Sequence, residues 1–197
     1  MASAIIGPNR RIRPLPITLI ALMMTAALPL YGWAQGTGDY FATHFFDATQ
    51  NSANYSVRID NPTRSVSPLC AMVYVFDSAQ TLQECCGCPL RPDQVETFPL
   101  GSLIGNPFGG SPTIGEVDIV ASTINHGSSA AANNGCDPAA SLNQTPALRS
   151  WFSNDNAGVS DGFLGAPLDS QEATKLPALC ASNVRLAAPA GICQCGN

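Results

Sequence analysis

An antiparallel β-sandwich is the fold class this sequence predicts, on three observations. Between residues 39 and 122, about six short apolar or alternating runs recur, each closed by turn-forming residues. No helix-length segment alternates with these runs, which argues against a doubly wound parallel sheet. The chain also carries eight cysteines, an even number that suits a small, stapled, exported domain.

The elements follow in order. "YFATHFF" (40–46) is aromatic-rich and stops at "DATQNS". "NYSVRID" (54–60) alternates, with Tyr55, Val57 and Ile59 on one side and Ser56, Arg58 and Asp60 on the other. That period of two marks a strand with one wet face. "LCAMVYVF" (69–76) is apolar throughout, as in a central strand covered on both faces. "DSAQ" (77–80) turns the chain, and "TLQECC" (81–86) returns antiparallel. "DQVETFPL" (93–100) is a further strand, and "GSLIGNPFGGSP" (101–112) is a loop by its Gly and Pro content. "EVDIVAS" (116–122) alternates again, setting Val117, Ile119 and Ala121 against Glu116 and Asp118. Short strands with turn signals between them fit a sandwich of immunoglobulin or fibronectin-III type over 35–122.

Beyond 122 the texture changes. "STINHGSSAAANNGCDPAASLNQT" (122–145) reads as a long loop tethered by Cys136. The rest, 146–197, reads as a cysteine-rich, partly helical segment. "PALRSWF" (146–152) is expected to form a short helix from Pro146, anchored by Trp151 and Phe152. "SNDNAGVSDG" reads as loop. In 169–186, Asp169 and Glu172 have capping spacing, and Leu176, Leu179, Cys180 and Val184 share a helical face. Pro177 lies inside that pattern, so a kink or two short helices is expected.

The first 34 residues read as an export signal. Arg10, Arg11 and Arg13 precede the apolar run "ITLIALMMTAALPL" (17–30), and Gly32 and Ala34 follow two apart. The run is short for a membrane span and Pro29 interrupts it. Cleavage would leave six basic residues against fourteen acids, a net charge of −8, with Lys175 the only lysine. Such a chain repels phosphate backbones and anionic lipid, which excludes nucleic acid as a partner class. The expected compartment is periplasmic, cell-surface or extracellular, and the expected partner a protein or cell-surface component.

The cysteines are Cys70, Cys85, Cys86, Cys88, Cys136, Cys180, Cys193 and Cys195. "ECCGCP" (84–89) concentrates three of them, and three chemistries fit that run. The first is structural. Adjacent strand residues face opposite ways, so Cys86 and Cys88 share one side while Cys85 takes the other and reaches a different partner. Gly87 would let the backbone bend between bridges. If "DSAQ" is a four-residue turn with Phe76 opposite Thr81, Cys70 faces Gly87. A one-residue bulge would bring it opposite Cys86 or Cys88 and permit a cross-strand bridge. Cys136, Cys180, Cys193 and Cys195 would then staple the C-terminal segment to itself and to the sheet. The second chemistry is redox, since Cys85 and Cys88 are formally C-x-x-C. A redox thiol needs a helix N-terminus to lower its pKa. Pro89 of the "PLRP" that follows could begin a helix, but Pro92 would fall in its first turn and no amphipathic run continues. The third is metal: Cys85, Cys86 and Cys88 with Cys193 and Cys195 form a thiolate set suited to Zn²⁺ or Cu(I).

Other chemistry is thin. The sequence contains no H-E-x-x-H, G-x-S-x-G, Walker A or G-x-G-x-x-G pattern. His44 alternates with aromatics and is expected to pack or lie at an edge, and His126 falls in a loop. Glu116 and Asp118 share a strand face, expected to be a solvated edge. No cofactor is implied, and no residue is assigned a catalytic role.

"VRIDNPT" (57–63), "LCAMVYVFD" (69–77), "LQECCGCPLRPD" (82–93) and "GICQCG" (191–196) resemble a group of exported bacterial proteins of acidobacterial type. The specific part is ECCGCP following a YVFD strand, and the likeness spans about 54–100 and the C-terminal segment. It implies export and a shared disulfide framework, and it transfers no catalytic or binding residue. The leading expectation is a non-enzymatic, disulfide-stabilised structural or interaction module, with 101–112 and 122–145 as contact loops. A thiolate metal binder and a thiol-disulfide oxidoreductase are its rivals.

Overall fold

The alternating and apolar runs become nine strands in two antiparallel sheets in the computed structural model, which describes residues 40–49, 52–62, 67–154 and 158–195. The export signal expected at 1–34 lies outside these residues. The strands are β1 (Phe41–Asp47), β2 (Tyr55–Asn61), β3 (Leu69–Asp77), β4 (Leu82–Leu90), β5 (Gln94–Pro99), β6 (Ile114–Thr123), β7 (Arg149–Asn154), β8 (Val159–Gly162) and β9 (Leu164–Ala166). A five-stranded sheet runs β4-β3-β6-β1-β9 and a four-stranded sheet runs β5-β2-β7-β8. The two pack as a β-sandwich.

β3 explains why one stretch is apolar on both sides. Leu69, Ala71, Val73 and Val75 face the four-stranded sheet and join Val57, Ile59, Phe98 and Phe152 in the central core. Cys70, Met72, Tyr74 and Phe76 face the other way and are also buried. Their cover is a third layer, made by the loop after β6 and a C-terminal helix. The loop packs Ile124, Ala139 and Leu142 there, and the helix packs Leu176 and Cys180. Removing two such faces from water is the main apolar gain of the fold, at about 25 cal/mol per Å².

The loop after β6 holds its shape through Asp137. Its carboxylate accepts hydrogen bonds from the Ser129 backbone N–H (2.8 Å), the Ser129 hydroxyl (2.6 Å) and the Ala139 N–H (2.9 Å). Asn125 completes the clasp by accepting from the Asp137 N–H (2.9 Å). A polar segment stays ordered because its polar atoms satisfy one another.

Several expectations are corrected. Residues 146–152 do not form a helix: Arg149–Asn154 is β7, with Phe152 in the core and Trp151 on the opposite side, paired with Arg58. Pairing with β2 and burial of Leu148 and Phe152 outweigh Pro146 as a helix start. The segment read as loop after 152 contributes β8, and β9 follows it. The chain passes from one sheet to the other at Phe163. The sandwich therefore extends well beyond 122. The 101–112 loop is preceded and entered by one helical turn, α1 (Leu100–Leu103), which buries Leu100 and Leu103.

The C-terminal helix α2 (Glu172–Ala187) is single and includes Pro177, where a kink or two helices was expected. Pro177 removes one intrahelical hydrogen bond. Tertiary ties offset that loss. Leu176 and Pro177 are buried, Cys180 is bridged to the sheet, and Asn183 Nδ2 donates to the Leu82 carbonyl (2.9 Å). The expected capping pair forms: Asp169 accepts from the Gln171 and Glu172 N–H groups, and Glu172 accepts from the Asp169 N–H. Leu179, placed on the buried face by sequence spacing, is 43% exposed.

Candidate functional site

The densest chemistry lies on β4, an edge strand whose nine residues carry the ECCGC run. β3 and β4 pair with Phe76 opposite Leu82, and a bulge at Gln83 shifts the register so that Val75 meets Glu84. The turn is thus longer than four residues and a bulge adds to it. The net slip of two puts Cys70 opposite Pro89, not Cys86 or Cys88. The cross-strand bridge is corrected accordingly: Cys70 pairs with Cys136 of the overlying loop.

The alternation of faces on β4 holds. Cys85 faces the helix layer and bridges Cys180 of α2. Cys86 and Cys88 face the other way and bridge Cys193 and Cys195. The C-terminal segment is therefore not stapled to itself. Every sulfur of the ECCGC run reaches it, and Cys85 and Cys88, the formal C-x-x-C, sit on opposite faces with separate partners.

Gly87 has a reason other than bending. A Cβ there would lie 2.0 Å from the Cys136 carbonyl oxygen. Absence of a side chain lets the bridged loop rest directly on the strand. The Gly87 N–H donates to the Ala131 carbonyl (3.2 Å), completing that contact.

The tail follows β4 in parallel. Cys85 N–H donates to the Gly191 carbonyl (2.9 Å), and Cys193 N–H donates to the Cys85 carbonyl (3.3 Å), with Ile192 opposite Cys85. Parallel strands advance together, so the two-residue step from Cys86 to Cys88 is matched by the step from Cys193 to Cys195. The tandem bridges bring Cys86 Sγ and Cys88 Sγ to 3.9 Å, and the Sγ atoms of Cys86, Cys88 and Cys195 all lie within 4.8 Å of one another.

Two clefts border this sulfur group. The larger, about 620 Å³, is lined by Cys88 and Cys195 and by polar groups that include Arg91, Gln94, Glu96, Asn133 and Asn134. The smaller, about 260 Å³, lies between the tail and residues 130–133 and reaches Cys86, Cys193 and Cys195.

Two buried carboxyls escaped the reading of the sequence. Glu84 is fully buried beside the bulge. One oxygen accepts from the Asn106 N–H (3.0 Å), and the other has no hydrogen-bond partner. Burial pushes its pKa up to about 7, with that one hydrogen bond opposing. Its position in a strand rich in apolar neighbours was the available signal. Asp118 was expected on a solvated edge. β6 instead lies between β3 and β1, and α2 covers it, so Asp118 is only 8% exposed. It lines a cavity of about 290 Å³ with Phe41, Phe76, Glu172 and Lys175, and one of its oxygens has no hydrogen-bond partner. Burial raises its pKa to about 7; a hydrogen bond from Thr43 opposes this, and Glu116 and Glu172 add to it.

His44 packs as expected. Its ring stacks on Phe152 (4.4 Å) and lies 5.2 Å from Phe163. Burial lowers its pKa, partly opposed by Asp161. His126 sits in the loop with a positive φ of 54°. Of the two expected contact loops, 122–145 contributes Ile124, Asn133 and Asn134 to the larger cleft. The other is largely committed to β4: Phe108 N–H donates to the Gln83 carbonyl (3.0 Å) and Gly109 N–H to the Gln83 side chain (2.8 Å).

Among the described residues, no helix is long and apolar enough to cross a membrane. No family model, curated protein or solved structure matches the chain.

Proposed function

We propose that this chain is an exported, non-enzymatic structural or interaction module, stabilised by disulfides and acting in the periplasm, at the cell surface or outside the cell. The observation that carries the reading is the pairing of all eight cysteines in four bridges across the fold. Such pairing suits an oxidising compartment. The contact surface is the larger cleft, where Arg91, Gln94, Glu96, Asn133 and Asn134 offer donors and acceptors of both signs to a polar partner segment. Its rim comes from a covalently tethered loop and a sheet edge, so little ordering entropy is lost on binding.

The purified protein is expected to yield four bridged peptides in a non-reducing map and no turnover in a broad hydrolase screen. A photo-cross-linker at Gln94 should trap a discrete partner in the native compartment. Arg91→Glu should abolish that adduct without moving the thermal midpoint. Substrate turnover by the purified chain overturns the reading, as does an adduct pattern indifferent to Arg91.

A further inference from the structure

The tandem bridges hold their sulfurs in an arrangement that one chemical change would turn into a metal site. Tetrahedral zinc binds thiolates at about 2.3 Å, which sets neighbouring sulfurs about 3.8 Å apart. Cys86 Sγ and Cys88 Sγ are already 3.9 Å apart across separate bridges. Cys195 Sγ falls within 4.8 Å of both, and Cys193 is bonded to Cys86. No bridge joins Cys86 to Cys88, and both project from the same face of β4 two residues apart, so the strand keeps them side by side when the bridges open.

We propose that opening Cys86–Cys193 and Cys88–Cys195 creates a four-thiolate site for a thiophilic d¹⁰ ion, Zn²⁺ or Cu(I), made by Cys86, Cys88, Cys193 and Cys195. Cys85, part of the thiolate set suggested by the sequence, is excluded. It points to the opposite face of the sheet, bridged to Cys180.

The chemistry balances with a dithiol as reductant. Each bridge takes two electrons and two protons from one dithiol, which closes to its own disulfide. Two dithiols therefore give four protein thiols. Zn²⁺ then replaces four protons to give a tetrathiolate of net charge −2. Access favours Cys88–Cys195 first, because Cys195 is half-buried and lines both clefts. Cys86 and Cys193 are buried but line the smaller cleft, whereas Cys70, Cys85, Cys136 and Cys180 are fully buried and line neither. After reduction, the Gly191 and Cys193 backbone hydrogen bonds still define the register in which the loosened tail closes on β4, and the bound metal holds it there. The proposal goes beyond the module reading and does not depend on it. A contact surface at Arg91 can fail while the metal site stands, and the reverse.

The test starts from the full, oxidised chain treated anaerobically with limiting dithiol. Alkylation and peptide mapping should locate new thiols at Cys86, Cys88, Cys193 and Cys195. Added Co²⁺ should then bind one per chain, with thiolate charge-transfer and tetrahedral d–d bands that Zn²⁺ bleaches. Cys88→Ser with Cys195→Ser, reduced in the same way, should lose those bands, because Cys86 and Cys193 alone supply only two thiolates. Cys85→Ser with Cys180→Ser should keep them. The proposal is overturned if reduced chain with native sheet circular dichroism shows no bands, or if the bands survive loss of Cys88 and Cys195. It is equally overturned if reduction unfolds the sheet and Zn²⁺ does not restore it.

Discussion

The two edges of the five-stranded sheet are finished in opposite ways. β4 is nine residues long, and three separate segments take its outward backbone groups. Phe108 reaches Gln83, Gly191 and Cys193 clasp Cys85, and Ala131 accepts from Gly87. β9, at the other edge, has three residues, and its Leu164 is 74% exposed. An exposed sheet edge is a template for pairing with another chain, so it is either covered or kept short. Here each solution occurs once. The long, apolar edge needs covalent help, because its cover is assembled from segments distant in sequence. The short edge needs none.

Removing the tail bridges gives the largest expected effect. Cys193→Ser with Cys195→Ser frees a segment that closes loops of 107 residues at each bridge. One long-loop bridge is worth about 2–4 kcal/mol, and two parallel bridges closing the same loop are less than additive, so the pair should cost about 4 kcal/mol. Urea titration under non-reducing conditions measures this. Hydrogen exchange at the Cys85 amide should accelerate in the same variant. If stability falls by less than about 1 kcal/mol, the β4 cover is held by its backbone contacts and the contrast between the edges fails.

This contrast also separates what the sequence makes legible from what it hides. Local periodicity exposes β1 to β6, because alternation and turn residues act within a few positions. It also places Cys85 on the opposite face from Cys86 and Cys88. Partner choice is not local. Cys70 lies opposite Pro89 only because a bulge at Gln83 adds to the turn, and no single residue announces that slip. β7 (RSWFSN) lacks the alternation of β2, since Trp151 and Phe152 are adjacent, and Pro146 offered a competing helix start. β8 (VSDG) is short and mostly polar and β9 (LGA) is only three residues long, so neither carries a periodic signal and both exist because the sheets offer them partners. Asp118 reads as exposed until β6 is known to lie between β3 and β1 with α2 over it.

Covering an edge has an electrostatic consequence, and it gives the next effect in size. Glu84 lies under the β4 cover with its pKa raised from 4.5 to about 7. The folded chain therefore holds a proton there at pH values where the unfolded chain has released it. Stability from this group is full below about pH 4.5, falls as pH rises, and levels off above about 7. Asp118 adds the same slope from the same cause. The chain should be less stable at pH 8 than at pH 5 by about 2 kcal/mol, after allowing for relaxation of the buried sites. Glu84→Gln should flatten part of that profile, since the amide cannot ionise. Urea midpoints across this range are the measurement. A profile that rises with pH, or one Glu84→Gln leaves unchanged, would show that Glu84 is solvated and the cover is open.

The smallest effect belongs to the short edge. Leu164 pairs with Thr43 along β9, and its side chain is mostly in water. Little apolar burial is lost by replacing it, so Leu164→Lys should change stability by less than about 0.5 kcal/mol. A lysine there also discourages edge-to-edge association. The variant should match the parent in urea midpoint and be no more associated by light scattering at high concentration. A loss above about 1 kcal/mol would mean that β9 is held by side-chain packing rather than by brevity alone. The two edges would then differ in degree and not in kind, because both would depend on buried contacts to close the sheet.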